Sequence, residues 1–163
     1  MRSHGVVQLL FIGTSEHSID SKSRLAIPAK YRNQWDPNKD GTAWVVIPWP
    51  GGILRLYTEA DFEKLAAAEH NTLTPSRGVA DFEAGFFGFA ERCEMDSAGR
   101  ITVPKKHLEF TKLKGDVVVV GARNRLEVRD KASWLAEEAG RFALLGTLAD
   151  QVTAQRAAAS AGQ

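Results

Sequence analysis

One segment of this sequence occurs twice, and that duplication limits the possible folds more than any other feature. Residues 19–31 recur as residues 95–107 at an offset of 76, with five of thirteen positions identical and three more exchanging one apolar residue for another. A second match aligns residues 54–62 with residues 126–134 at an offset of 72. The usual solenoid repeats are shorter than this, so the pattern indicates one duplicated module rather than an array.

Each copy presents the same order of structural signals. An Asp-Ser-x-x-Arg segment leads into a short apolar alternation, Leu25-x-Ile27 or Ile101-x-Val103, which is typical of a half-buried strand. A proline follows where a helix would begin, and a β-rich hairpin and a second helix, which starts near Glu59 or Lys131, complete the copy. We therefore predict an α+β, β-rich fold. Its predicted divisions are a first module over 1–73, a linking helix over 74–85, a second module over 86–148 and a partly disordered Ala-rich tail over 149–163.

Composition excludes several classes of protein. Cys93 is the only cysteine, which rules out an intramolecular disulfide framework and a thiolate zinc site and is typical of a reducing compartment. No apolar run approaches the roughly 20 residues that a membrane-spanning helix needs. The apolar run at residues 6–12 is also short for the core of a signal peptide. We therefore expect a cytoplasmic protein with no membrane partner.

The net charge of +1 is a sum of opposed regions. Residues 20–32 carry four basic side chains (Lys22, Arg24, Lys30 and Arg32) against one acid, a charge of +3. Residues 100–114 carry five basic side chains against one acid, a charge of +4, whereas residues 58–70 carry −3. A nearly neutral total is therefore compatible with a basic face that binds nucleic acid.

The duplicated pattern resembles the MraZ family, whose units belong to the AbrB-like swapped-hairpin class. The resemblance covers residues 10–145 and depends on two Asp-x-x-x-Arg turns, each followed by apolar-x-apolar-Pro and then by a hairpin and helix. It implies two tandem swapped-hairpin β-barrel modules with flanking helices. It also implies a nucleoid-associated repressor of the division and cell-wall gene cluster. Such a protein binds short direct repeats in double-stranded DNA as a ring-shaped homo-oligomer.

The resemblance implies DNA contact through the two turns and the basic residues that follow them. The DNA-binding candidates are Lys22, Arg24, Lys30, Arg100, Lys105 and Lys106. The candidates that organise the turns are Asp20, Ser21, Asp96, Ser97 and Gly99. An arginine guanidinium can bind a phosphate, or the O6 and N7 atoms of guanine, through two parallel hydrogen bonds. An aspartate is better suited to accepting backbone N–H bonds within the turn and to orienting the arginine.

Both turns depart from the family's usual Asp-x-Lys-Gly-Arg. Ser23 stands where glycine is expected in the first turn, and serine costs on the order of 1 kcal/mol if the position requires a positive φ. Ala98 stands where lysine is expected in the second turn. The missing charge predicts a weaker grip on DNA by the second turn.

Alternative interpretations follow from the same residues. Each turn arginine could be an internal ion-pair partner of the aspartate four positions earlier, and the helix lysines could be solvated surface charges. The rival functions are a small-barrel enzyme or ligand-binding protein and an antitoxin-like DNA-binding partner. No paired carboxylates, nucleophile–base set, cofactor motif or metal-ligand cluster stands out, so no catalytic role, cofactor or metal is expected. Residues 85–89, rich in phenylalanine, are interpreted as the start of the second module or as a subunit contact surface.

Overall fold

The structure is a computed structural model that describes residues 9–162, and it confirms the α+β class. The strands are β1 (Thr14–Ile19), β2 (Arg24–Ala26), β3 (Ala43–Trp49), β4 (Ile53–Thr58), β5 (Glu91–Glu94), β6 (Arg100–Thr102), β7 (Gly115–Gly121) and β8 (Leu126–Asp130). The helices are α1 (Ala29–Arg32), α2 (Pro37–Asp40), α3 (Glu59–Ala68), α4 (Arg77–Phe89), α5 (Lys105–Thr111) and α6 (Lys131–Ala161). One compact unit extends to Lys131 and a second begins at Ala132.

Strands from the two sequence copies alternate within one antiparallel sheet. Its order is β1-β7-β8-β4-β3-β5, so the first strand of each copy pairs with the hairpin of the other copy. Strand β1 pairs with β7, β5 pairs with β3, and the two hairpins meet where β4 pairs with β8. The copies are therefore interleaved by strand exchange, as expected for swapped hairpins.

A separate two-stranded ladder joins the segments that follow the two turns. Strands β2 and β6 run antiparallel, with Arg24 opposite Thr102, Leu25 opposite Ile101 and Ala26 opposite Arg100. Because side chains alternate across a strand, the buried Leu25 and Ile101 face the core while the flanking residues face outward.

The pairing has an approximate two-fold symmetry. Leu25 lies opposite Ile101, which is its counterpart in the sequence repeat, at the centre of the short ladder. Arg55 likewise lies opposite its counterpart Glu127 at the centre of the large sheet. The same local axis relates the two turns, because each turn directly precedes one strand of the short ladder.

The core lies between the short ladder and the inner face of the large sheet. Its buried apolar members include Phe11, Leu25, Ile27, Tyr31, Trp44, Leu54, Leu56, Ile101, Val103, Val119, Leu126 and Val128. Residues from both copies contribute to this single cluster, so the position of each turn depends on the packing of both copies.

A second apolar cluster lies on the outer face of β3 and β4. Val45, Ile47 and Tyr57 are buried there, with Phe62 of α3 and Phe86 of α4 packed against them. Helix α3 begins where Thr58 accepts a hydrogen bond from the Asp61 backbone N–H at 3.2 Å. The predicted start of this helix, near Glu59, agrees with the structure.

The linking helix differs from the prediction in its limits. It was expected over 74–85, but α4 spans Arg77–Phe89, and Ser76 caps it by accepting from the Val79 backbone N–H at 3.4 Å. Residues 85–89, interpreted as the start of the second module or as a subunit contact surface, form the C-terminal end of this helix. Packing of Phe86 against the sheet and against Phe62 favours the helix despite the glycines.

The C-terminal tail also differs from the expectation of partial disorder. Helix α6 continues as regular helix to Ala161, because alanine has the strongest intrinsic helix propensity. Within this second unit, the Arg141 guanidinium lies 3.9 Å from the centre of the Trp134 ring and donates to Glu137 at 3.0 Å. Within residues 9–162, no helix combines the length and apolar character needed to cross a bilayer.

Candidate nucleic-acid interface

The first turn is organised by the carboxylate of Asp20. Its Oδ1 accepts hydrogen bonds from the backbone N–H groups of Lys22 and Arg24, both at 2.9 Å. Its Oδ2 accepts from the Arg24 Nε at 2.7 Å. The turn is closed by backbone bonds from Ser23 N to Asp20 O and from Asp20 N to Arg24 O, both at 3.0 Å. The aspartate therefore fixes both the backbone of the turn and the direction of the arginine.

The second turn reproduces this geometry. Asp96 Oδ1 accepts from the backbone N–H groups of Ala98 and Arg100 at 2.9 Å, and Oδ2 accepts from the Arg100 Nε at 2.8 Å. Gly99 N donates to Asp96 O at 3.0 Å, and Asp96 N donates to Arg100 O at 2.8 Å. The lack of a lysine at position 98 thus leaves the backbone of this turn unchanged.

These hydrogen bonds lower the pKa of both turn carboxyls below the ordinary aspartate value. The largest cause in each is the backbone hydrogen bond from the following arginine, Arg24 or Arg100, and the side-chain bond from the same residue adds to it. Asp20 and Asp96 are therefore ionised at neutral pH and available as acceptors.

Each turn is also attached to the opposite sequence copy. The Ser23 carbonyl accepts from Val103 N at 2.8 Å, and the Gly99 carbonyl accepts from Ile27 N at 2.9 Å. These bonds extend the short ladder at both ends, so neither turn can move independently of the other. A rigid pair of turns needs little ordering when it binds a ligand.

The two turn arginines lie on the same outward face of the short ladder. Arg24 is opposite Thr102, and Arg100 is two residues before Thr102 on the same strand. Such diagonal neighbours are about 7–8 Å apart in an antiparallel ladder. The structure therefore brings together two arginines that are distant in the sequence.

The arginines keep exposed hydrogen-bond donors although they form ion pairs. Their side chains are 30% exposed for Arg24 and 36% exposed for Arg100. Among the side-chain nitrogens of each arginine, only Nε donates to the aspartate, and the two terminal nitrogens form no hydrogen bond to another residue in the range 9–162. The ion-pair interpretation and the binding interpretation are thus compatible, since the aspartate can orient a guanidinium whose outer edge is open.

The other candidates differ in their distance from the turns. Lys22, Ser21, Ser97 and Ala98 are exposed at the tips. The Lys30 Nζ donates to Thr14 O at 2.8 Å, at the end of β1 that is remote from the first turn. Lys106 Nζ lies 5.8 Å from the centre of the Phe110 ring, and Lys105 is exposed in α5. The tip residues therefore lie beside the turn arginines, whereas the helix lysines Lys30, Lys105 and Lys106 lie outside the turns.

The residue before each arginine adopts a left-handed conformation. Ser23 has φ 62° and Gly99 has φ 74°, so the conformation that was considered for Ser23 is present. Gly99 is buried, and a Cβ built on it would lie 2.6 Å from Cδ and Nη1 of Arg32. Position 99 therefore requires glycine both for its positive φ and for the space that Arg32 occupies. At Ser23 only the positive φ is unfavourable, and the serine costs folding free energy for that reason.

Replacement of Ser23 with glycine is expected to stabilise the folded protein by up to about 1 kcal/mol, because it removes the left-handed strain of a residue with a Cβ. Urea denaturation followed by circular dichroism would measure the change. Gly99→Ser is the matched control and should be destabilising. An unchanged or lower midpoint for Ser23→Gly would contradict a strained turn.

Other kinds of site find little support in the described structure. No group of three or more His, Cys, Asp and Glu side chains within residues 9–162 could hold a metal ion. Burial raises the pKa of the Cys93 thiol to about 11, so this cysteine is not an activated nucleophile. A groove of about 720 Å³ lies between α3 and α4. Its walls include Tyr57, Phe62, Leu65, Val79, Phe82 and Phe86.

Comparison with known proteins agrees with the duplicated architecture. The model of the family described as "MraZ protein, putative antitoxin-like" matches residues 10–79 and 86–142. A protein of Pediococcus pentosaceus named "Transcriptional regulator MraZ" is 36% identical over 129 residues, covering 77% of this chain and 84% of its own length. Proteins with the same name from Ligilactobacillus salivarius and Thermobifida fusca are 33% and 29% identical, and they cover 78% and 88% of this chain and 85% and 96% of their own lengths.

Proposed function

The chain belongs to the MraZ family of transcriptional regulators, and we propose that it is a sequence-specific DNA-binding protein. It represses the division and cell-wall gene cluster by binding short direct repeats in the promoter. It acts on the nucleoid as a ring-shaped homo-oligomer and has no catalytic step. The observation that carries the DNA-binding part is the pair of identically built arginine turns on one outward face.

The turns are suited to reading bases because the arginines are held in advance. Asp20 and Asp96 each hold the Nε of one arginine, and the two terminal nitrogens of each guanidinium form no hydrogen bond to another residue in the range 9–162. Those nitrogens can bind O6 and N7 of guanine through two parallel hydrogen bonds, an interaction worth about 1–3 kcal/mol of discrimination against the wrong base.

The exposed Lys22 at the tip of the first turn adds a contact to a DNA phosphate, which contributes affinity without sequence information.

A single chain offers only a few cations to DNA, and this supports an oligomer that engages several repeats. When chains are linked, each further contact becomes intramolecular and avidity can exceed the single-site affinity by about 100- to 10,000-fold. The ring-shaped assembly would supply this linkage between turn pairs. The proposal therefore makes affinity depend on the number of repeats in the DNA.

Footprinting of the purified protein on the DNA upstream of its own gene tests this function. We expect protection of a region with short direct repeats, and we expect a duplex with one repeat to bind far more weakly than a duplex with several. A shuffled duplex of equal length and composition is the control. The proposal would be contradicted if the shuffled duplex bound equally well. It would also be contradicted if no specific region were protected, even at protein concentrations high enough to saturate nonspecific DNA.

A further inference from the structure

Arg32, at the end of α1, lies against the second turn although it belongs to the first sequence copy. Its Nε donates to the Ile27 carbonyl at 2.8 Å, and the Ile27 N–H donates to the Gly99 carbonyl at 2.9 Å. A Cβ on Gly99 would approach Cδ and Nη1 of Arg32 to 2.6 Å and Cζ to 2.7 Å. The arginine therefore occupies the space that a side chain at position 99 would take.

The charge of Arg32 has no partner within the described structure. Arg32 is half-buried, and none of the ion pairs formed by residues 9–162 includes it. The one hydrogen bond that its side chain forms within residues 9–162 is the one from Nε, so both terminal nitrogens remain available as donors. An uncompensated guanidinium beside an exposed turn has donors left for an anionic ligand.

The two turns obtain their positive charge from different places in the sequence. The first turn has Lys22 at its tip, and the position equivalent to Arg32 on the other side of the axis is the apolar, partly buried Leu108. The second turn has Ala98 at its tip and Arg32 beside it. Each turn therefore has one cation in addition to its own arginine. This cation is Lys22 at the first turn and Arg32 at the second.

We propose that Arg32 is the phosphate-binding cation of the second turn and replaces, from the opposite sequence copy, the lysine that Ala98 lacks. This inference rests on the proposed DNA-binding function and specifies a further contact residue for it. The backbone phosphate next to the base contacted by Arg100 is the ligand. The second turn therefore binds DNA with the same number of cations as the first.

Arg32→Gln tests the proposal in a gel shift at several salt concentrations, with the footprinted duplex as the probe. Loss of one phosphate contact is expected to weaken binding several-fold and to reduce the slope of log K against log salt by about one. Arg77→Gln is the matched control, because Arg77 is an exposed arginine in α4 and its loss changes the net charge equally.

A second substitution separates charge from structural support. Ala98→Lys in the Arg32→Gln background is expected to restore both the affinity and the salt slope, since it places the cation at the tip as in the first turn. Arg32→Met, which keeps the aliphatic part over Gly99, should lose binding as Arg32→Gln does. An unchanged slope, a loss that Ala98→Lys does not restore, or failure of both Arg32 variants to fold would each overturn the proposal. Failure of the DNA-binding function itself would be seen separately, as wild-type protein that does not discriminate the repeats.

Discussion

The double variant Arg24→Ala, Arg100→Ala is expected to lose operator binding by at least about 30-fold, because two base contacts of about 1–3 kcal/mol each disappear. Each arginine is held by Nε to its own aspartate, at 2.7 Å and 2.8 Å, so its outer edge is fixed before DNA arrives. The arginine side chains lose little conformational freedom when DNA binds, so nearly the full energy of each contact contributes to affinity. Truncation to alanine therefore causes a large loss of binding free energy. A gel shift with the repeat-containing duplex measures it.

A control must reproduce the loss of two positive charges without touching the turns. Arg77→Ala, Arg156→Ala meets this condition, since Arg77 forms an exposed pair with Asp81 at 3.9 Å and Arg156 is exposed in α6. This control should bind the operator almost as the wild type does. If the turn variant binds normally and only its unfolding midpoint falls, the arginines are ion-pair partners of Asp20 and Asp96 and the site assignment is wrong.

Substitution by lysine distinguishes base recognition from attraction to phosphate. Arg24→Lys, Arg100→Lys keeps both charges but loses the planar guanidinium that can form two parallel bonds. We expect the salt dependence to remain and the preference for the repeats over a shuffled duplex to fall. A retained preference would show that the turns contact phosphate alone.

Much of the local structure follows from sequence because its causes are local. The Asp-x-x-x-Arg spacing predicts a turn closed by the aspartate, and Asp20 and Asp96 form that turn with nearly identical distances. The helix starts near Glu59 and Lys131 were also predictable, since each follows an alternating strand. Signals within a few residues of one another specify these features without reference to the rest of the chain.

The pairing between sequence copies could not be obtained in the same way. An alternating pattern indicates that a strand has one buried face, but it does not identify the strand beside it. Nothing local distinguishes β1 pairing with β7 from β1 pairing with β3. The resemblance to swapped-hairpin proteins was needed for the exchange, and the contact between Arg32 and Gly99 follows only once that exchange is known.

Removal of the Glu127 carboxylate is expected to cost about 3 kcal/mol of unfolding free energy, since it takes a buried, ionised acceptor away from the half-buried guanidinium groups of Arg55, Arg125 and Arg129. Glu127 is buried at the two-fold axis of the large sheet, opposite Arg55. Its Oε1 accepts from Arg129 Nη2 at 2.6 Å, and its Oε2 accepts from Arg125 Nε at 2.9 Å. Arg55 and Glu127 are equivalent positions of the repeat, so an exact duplication would place two identical charges opposite each other here. Their opposite charges avoid that repulsion.

The measurement is urea denaturation of Glu127→Gln, with Glu94→Gln as the matched control. Glu94 is an exposed strand residue whose pair with Arg92 spans 3.9 Å, so its loss should cost less than about 1 kcal/mol. Equal midpoints for the two variants would show that the cluster of Glu127 and its arginines does not hold the two copies together.

The pH dependence provides an independent check on the same carboxylate. Burial alone would raise the pKa of Glu127, but hydrogen bonds from Arg129 and Arg125 outweigh it and lower the pKa below the ordinary value for glutamate. The folded state therefore binds this proton less readily than the unfolded state. The stabilisation is complete well above the ordinary glutamate pKa of about 4.3, and it declines as the pH falls toward the lowered pKa of the folded state. Glutamine cannot titrate, so the difference in stability between wild type and Glu127→Gln should shrink on acidification. A difference that stays constant from pH 7 to about pH 3 would mean that the carboxylate is not held by its arginines, because the ordinary glutamate pKa of about 4.3 lies inside that interval.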